Sequence, residues 1–307
     1  MITLLLIRKI VSLFLVLAAG VVLVRFRVME AKQSRTLSLL LLYLLMPAVI
    51  LSSYQVSCTG EVLAKLGLTL IVAVVMNGLQ IVITTLLRKP MRLDVIEQMS
   101  VIYPNAGNLI IPLVTSVLGA EWVIYTSAYI AVQQLLIWSH GRMLLEGRKR
   151  FEIGHIVKNV NIISIFIGIV MFAFGIKFPL PVADAVDTLG SMVAGASMLV
   201  TGMLIGGMDF KKLLSYRRMW KAVLLRLVAL PLIGILVMKL TGLFTGVEDV
   251  EKLFLVVLLA VSAPTAGSVT SMAQIYGCDA DYASAINVVT TLLCILTMPA
   301  MTALYLL

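Results

Sequence analysis

Apolar residues come in long runs along this chain, separated by short clusters of charge. Ten runs can be marked, near 4–24, 36–56, 62–87, 97–118, 121–139, 159–176, 188–208, 219–240, 252–275 and 280–304. Each is long enough to cross about 30 Å of hydrocarbon as a helix, the first and third with some tilt. No stretch alternates apolar and polar residues as a strand would, and an open strand cannot satisfy its backbone in lipid. The pattern predicts an all-α integral membrane protein with ten transmembrane helices, one domain over residues 1–307.

Composition makes the bilayer necessary. The chain is 61% hydrophobic and 13% charged, against about 45–50% and about 25% for a soluble domain. A net charge of +9 could suggest a nucleic-acid partner. Here Lys and Arg sit in the short connections, so none is expected, and the partner is the lipid bilayer. The connections after the first, third, fifth and seventh runs hold 17 of the 24 Lys and Arg, beginning with Arg25, Arg27, Lys32 and Arg35. The opposite side holds six. By the positive-inside rule both termini lie outside the cytoplasm, in a multi-pass protein of the plasma membrane. Arg8 and Lys9 interrupt the first run, and Arg25 and Arg27 come after it. It reads as a membrane helix rather than a cleaved leader.

With an odd number of spans per half, residues 1–139 and 159–307 have opposite topology, joined by a cytoplasmic linker at 140–158. Inverted repeats of this kind are common in secondary transporters. A short internal similarity agrees with it. The fourth run contains Pro104-Asn105-Ala106-Gly107-Asn108 and the ninth Pro264-Thr265-Ala266-Gly267-Ser268, at equivalent places in their halves.

Proline removes a backbone donor, and glycine loosens the turn after it. Both runs should therefore break, into about 97–103 and 109–118, and about 252–262 and 269–275. Unwound backbone at that depth must line a cavity or be buried in protein. N–H groups at the second half-helices suit a carboxylate, and carbonyls ending the first halves can hold a cation. The expected substrate-binding residues are Pro104, Asn105, Gly107, Asn108, Pro264, Thr265, Gly267 and Ser268. Possible lining comes from Gln133, Gln134, Asn287, Thr290, Thr291 and Asn77, with Gln80 beside it; ordinary interhelical hydrogen bonding is the alternative for Asn77 and Gln80. Pro47, Pro112, Pro231 and Pro299 read as plain kinks.

All fifteen Asp and Glu fall in connections or at span ends. A cation substrate would lack a counter-charge, so a small organic anion is favoured; the coupling ion is left open between sodium and proton. Arg226 is expected to snorkel to the cytoplasmic interface, with a place on the substrate path as the alternative. His140 and His155 fall in the basic linker and are expected to be solvated. Cys58, Cys278 and Cys294 form no CxxC pair, so no metal or other cofactor is expected. HExxH, GxSxG, DDxxD and P-loop patterns are absent, so no enzyme is expected. A channel or receptor on the same scaffold is the other reading. Gly202-x-x-x-Gly206 reads as a close helix contact.

Several stretches carry a family resemblance. They are Asn105-x-Gly107 with Pro112, then Pro264-Thr265-Ala266, then Ala273 and Tyr276-Gly277-x-Asp279, the run from Thr291 to Pro299, and Ser197 to Gly202. Together they resemble the auxin efflux carrier family in its bacterial form, over nearly the whole chain. The resemblance implies a ten-helix fold with a dimerising scaffold part and a transport part holding crossed fourth and ninth helices. It also implies elevator-like alternating access, a homodimer and a carboxylate held at the crossing. Pro104, Asn105, Pro264 and Thr265 are then first-choice site residues. Gly195 stands where the family often has proline, Gln274 where Glu is common, and Asn108 and Ile110 where an aromatic residue and Gly are frequent. The polar departures favour a small dicarboxylate such as malate or malonate over auxin.

Overall fold

The computed structural model describes residues 2–147, 159–209, 216–242, 247 and 249–307. The regular structure among these residues is helical, with no strand. In chain order the helices are α1 (Ile2–Arg25), α2 (Ala31–Ser53), α3 (Gly60–Met91), α4 (Val95–Ile102), α5 (Ile111–Val117), α6 (Val123–Leu136) and α7 (Val160–Ala173). Then come α8 (Leu180–Gly206), α9 (Met219–Gly242), α10 (Val250–Val261), α11 (Gly267–Ile275) and α12 (Ala280–Leu306). Six of them, α1, α2, α3, α8, α9 and α12, are long and apolar enough to cross a membrane, and α7 is a shorter apolar helix. The fourth and ninth apolar runs are each two helices, α4 with α5 and α10 with α11.

Polar residues fix where helices begin. The Thr59 hydroxyl accepts from the Val62 amide at 3.2 Å ahead of α3. Asp94 and Glu97 form a reciprocal capping box on α4, each accepting at 2.8 Å from the other's amide. Asn159 caps α7, and Asp279 caps α12 by accepting from the Tyr282 amide at 2.9 Å.

All four kink prolines, Pro299 within α12 included, leave their helices continuous, and three share one device. A π-turn precedes each of the three: Leu41–Leu45 before Pro47, Ala106–Ile110 before Pro112, and Leu225–Ala229 before Pro231. Proline cannot donate to the carbonyl four residues back and its ring crowds it. Widening the preceding turn relieves that clash and re-aims the side chains within it.

Helices α1 and α8 pack at backbone distance. A Cβ on Gly20 would stand 2.6 Å from the Leu199 carbonyl, and one on Gly202 would collide with the Leu17 carbonyl. A Cβ on Gly206 would meet Val24 and the Val21 carbonyl. The Gly202/Gly206 motif is thus satisfied within one chain.

Part of the expected linker is ordered as helix. After α6 the chain continues through a π-turn, Ile137–Gly141, into a helix at Arg142–Glu146, where Arg142 pairs with Glu146 at 2.7 Å. The rest of the linker, with Arg148, Lys149, Arg150, His155 and Lys158, lies outside the described residues, as do Lys211 and Lys212. Lys65, near the start of α3, is buried. It bridges Glu61 at 2.5 Å and Asp249 at 3.2 Å and stands over the Trp122 ring, tying the starts of α3 and α10 together.

Candidate functional site

Helix α4 stops at Ile102 and winding resumes at Ala106; α10 stops at Val261 and winding resumes at Gly267. The two interruptions lie against each other. The Asn105 amide donates to the Pro264 carbonyl at 2.7 Å, and the Ala266 amide to the Tyr103 carbonyl at 2.9 Å. This makes a one-residue antiparallel bridge between Pro104 and Thr265. In hydrocarbon each unmet backbone group costs several kcal/mol, so each break supplies partners for the other.

The remaining backbone groups are met by side chains. Pro104 cannot donate to Ser100, and the Thr265 hydroxyl donates to that carbonyl instead, at 3.0 Å. The Thr265 amide donates to the Thr290 hydroxyl at 3.1 Å, and its carbonyl accepts from Asn287 Nδ2 at 2.6 Å. The Pro104 carbonyl accepts from Gln133 Nε2. Gln133, Asn287 and Thr290, expected as cavity lining, therefore hold the breaks in shape.

Arg226 corrects its sequence expectation. It does not snorkel: the residue is 0% exposed. Its Nε donates to the Ala263 carbonyl at 2.9 Å, and Nη1 to the Val101 carbonyl at 2.8 Å and to Gln80 Oε1 at 3.3 Å. Its Nη2 donates to the Val261 carbonyl. Those three carbonyls end α4 and α10, where the chain's own amides have turned elsewhere. Arg226 lies in the π-turn before Pro231. Among the described residues no carboxylate pairs with it. The signal was in the sequence, since a lone charge inside a span is by default functional. Gln80 Nε2 donates to the Tyr129 hydroxyl at 3.3 Å, which brings α3 and α6 into the same network.

Other expected residues divide by access. Pro104, Pro264 and Thr265 are buried, whereas Asn105, Gly107 and Ser268 are half-buried and Gly267 is exposed. The side chains of Asn105 and Ser268 make no hydrogen bond among the described residues. A Cβ on Gly267 would meet nothing within 4 Å, while one on Gly107 would press on the Met46 methyl at 2.8 Å. The Asn108 side chain lies outside the described residues. Gln134 is half-buried and Thr291 buried, neither bonded to a break. Asn77 is buried in α3, donates to the Ala73 carbonyl at 2.8 Å, and leaves its Oδ1 without a partner.

Two further polar groups depart from what the sequence suggests. His140 is half-buried rather than fully solvated, and its Nδ1 lies 2.8 Å from the Tyr103 hydroxyl, at the residue before Pro104. Glu97, a span-end acid, is fully buried and accepts from the Tyr282 hydroxyl at 2.8 Å.

A cavity of about 720 Å³ lies beside α5, between α2 and α8. Lys9, Glu121, Lys177 and Asp187 contribute charge to its wall, and Ile111 and Pro112, which follow the first break in the chain, also line it. None of the expected site residues lines it.

The model of a family described as membrane transport protein matches residues 5–155 and 150–302, almost the whole chain. The chain belongs to the auxin efflux carrier family. It is a multi-pass membrane transporter. No curated protein matches the chain significantly.

Proposed function

We propose that this transporter is a secondary carrier for a small organic anion, a carboxylate such as malate or malonate, held where the two breaks meet. The charge inventory of the breaks carries the reading. Each helix end bears about half an elementary charge, negative at C-termini and positive at N-termini. The C-termini of α4 and α10 are offset by the Arg226 guanidinium, which donates to three of their carbonyls. The N-terminal ends leading into α5 and α11 then remain as an excess of about one positive charge. One carboxylate balances it. Asn105 and Ser268, with unused hydrogen-bonding groups, and the open backbone at Gly267 are the contacts offered to it.

In this reading the chain has ten spans in two inverted halves, 1–139 and 159–307, with both termini outside the cytoplasm of a plasma membrane. The broken helices cross at mid-bilayer and move as one body, because their backbones bond to each other. The cavity beside α5 is the vestibule from the outer side, ending at Ile111, about 9 Å along the helix from Asn105. Its two Lys and two acidic residues balance, so it selects by size and polarity rather than by net charge. Two copies associate through the scaffold helices, as the family resemblance implies.

The test is transport in proteoliposomes, read as substrate-evoked current on a solid-supported membrane. Malate, malonate, citrate, lactate and indole-3-acetate form the panel, with Asn105→Ala as control. A saturable current for one anion, lost in the control, supports the reading. Silence toward every anion from folded, oriented protein would sink it.

A further inference from the structure

The guanidinium of Arg226 occupies the place where a discontinuous membrane helix otherwise binds a mobile cation. Unwound carbonyls and half-helix C-termini coordinate Na⁺ in carriers with broken helices. Here Val101, Val261 and Ala263 present such carbonyls from two helices toward one point, and Arg226 donates to all three. Gln80 Oε1 is a fourth acceptor at 3.3 Å. The residue is 0% exposed. Its acceptors are neutral oxygens from both halves of the chain, the same donor chemistry that a hard monovalent cation takes.

We infer that Arg226 is a tethered counter-cation: it fills the carbonyl site at the breaks permanently, so no sodium ion binds there and anion binding does not require one. The inference rests on the carrier reading for its transport consequence, but the site itself can be tested without transport. Arg226 is a positioning residue in this scheme. It holds the ends of α4 and α10 together and supplies the positive charge that a bound sodium ion would bring. The π-turn before Pro231 sets its place along α9, opposite the breaks.

The experiment is thermal unfolding of the purified full-length protein in detergent, with choline, sodium, lithium or guanidinium chloride at equal ionic strength and low millimolar test-ion concentration. The wild-type midpoint is expected to be the same in choline, sodium and lithium. Arg226→Ala is expected to unfold at a clearly lower temperature, and guanidinium is expected to raise its midpoint saturably while choline, too large for the site, does not. Arg226→Lys keeps a fixed cation and covers the case in which the alanine variant does not fold. Its midpoint is expected to fall between the two and to ignore sodium. A saturable sodium or lithium stabilisation of wild type would overturn the inference, because a free cation site would then exist. So would a folded Arg226→Ala protein indifferent to guanidinium. These readouts do not depend on the transported anion. If no anion evokes current, the carrier reading fails and the tethered cation stands or falls on the melting curves alone.

Discussion

The hydroxyl of Thr265 donates to the carbonyl of Ser100 at 3.0 Å, across 165 residues of chain. Ser100 lies four residues before Pro104, so its carbonyl is the one whose helical donor proline removes. A side chain from the other break replaces that donor. The two interruptions are interdependent, and each would be a buried defect without its partner.

Removing that hydroxyl tests the dependence. Thr265→Val keeps the shape and leaves the Ser100 carbonyl buried without a donor, which costs about 1–3 kcal/mol. The thermal midpoint in detergent should fall accordingly, and Thr265→Ser should recover most of it. A valine variant as stable as wild type would mean that the bond contributes little.

Asn105 should behave in the opposite way. Its side chain is half-buried and bonded to no described residue, so Asn105→Ala should shift stability by no more than about 0.5 kcal/mol. Transport should nevertheless be lost. By contrast, Asn287→Leu strips the donor from the Thr265 carbonyl and should lower stability and transport together. Melting curves measured beside substrate-evoked currents separate the two kinds of residue.

The contact between α1 and α8 is a third point of attack. Gly202→Val drives a side chain into the Leu17 carbonyl and should destabilise by about 3 kcal/mol or more, the upper end for overpacking. Gly195→Ala lies on the same helix with nothing within 4 Å of the new methyl. It should be neutral, or stabilising by about 0.5–1 kcal/mol through helix propensity. Equal loss in both variants would argue against close packing as the cause.

Acid should weaken the tie at the start of α10. Lys252 at 2.8 Å and Lys65 at 3.2 Å hold the Asp249 carboxyl below the ordinary carboxylate range. Because its folded pKa is depressed, the stabilisation is present above the unfolded value of about 3.9 and is lost as pH falls through the folded value. Asp249→Asn also tolerates the positive φ of 56° at this position. Its melting midpoint should therefore vary less than that of wild type below about pH 4. Identical acid profiles would remove Asp249 from the account.

What is local in this fold can be read along the chain. Runs of apolar residues place the helices, since lipid leaves the backbone no other way to bond. A proline followed by glycine and small polar residues places each interruption, and the helices do stop at Ile102 and Val261. The polar and glycine positions of each break, Asn105, Gly107, Gly267 and Ser268, are likewise legible, because a break is written within five residues. Which polar groups bond to the breaks depends on how the helices assemble. Ten apolar runs fix no rotation of a helix about its axis, so Gln133, Asn287 and Thr290 looked like lining and prove to be backbone partners. Arg226 is the clearest case. Its neighbours in sequence place it near an interface, but the π-turn before Pro231 and three carbonyls from distant segments bury it at the breaks, and only assembly of α3, α4, α9 and α10 brings those groups together.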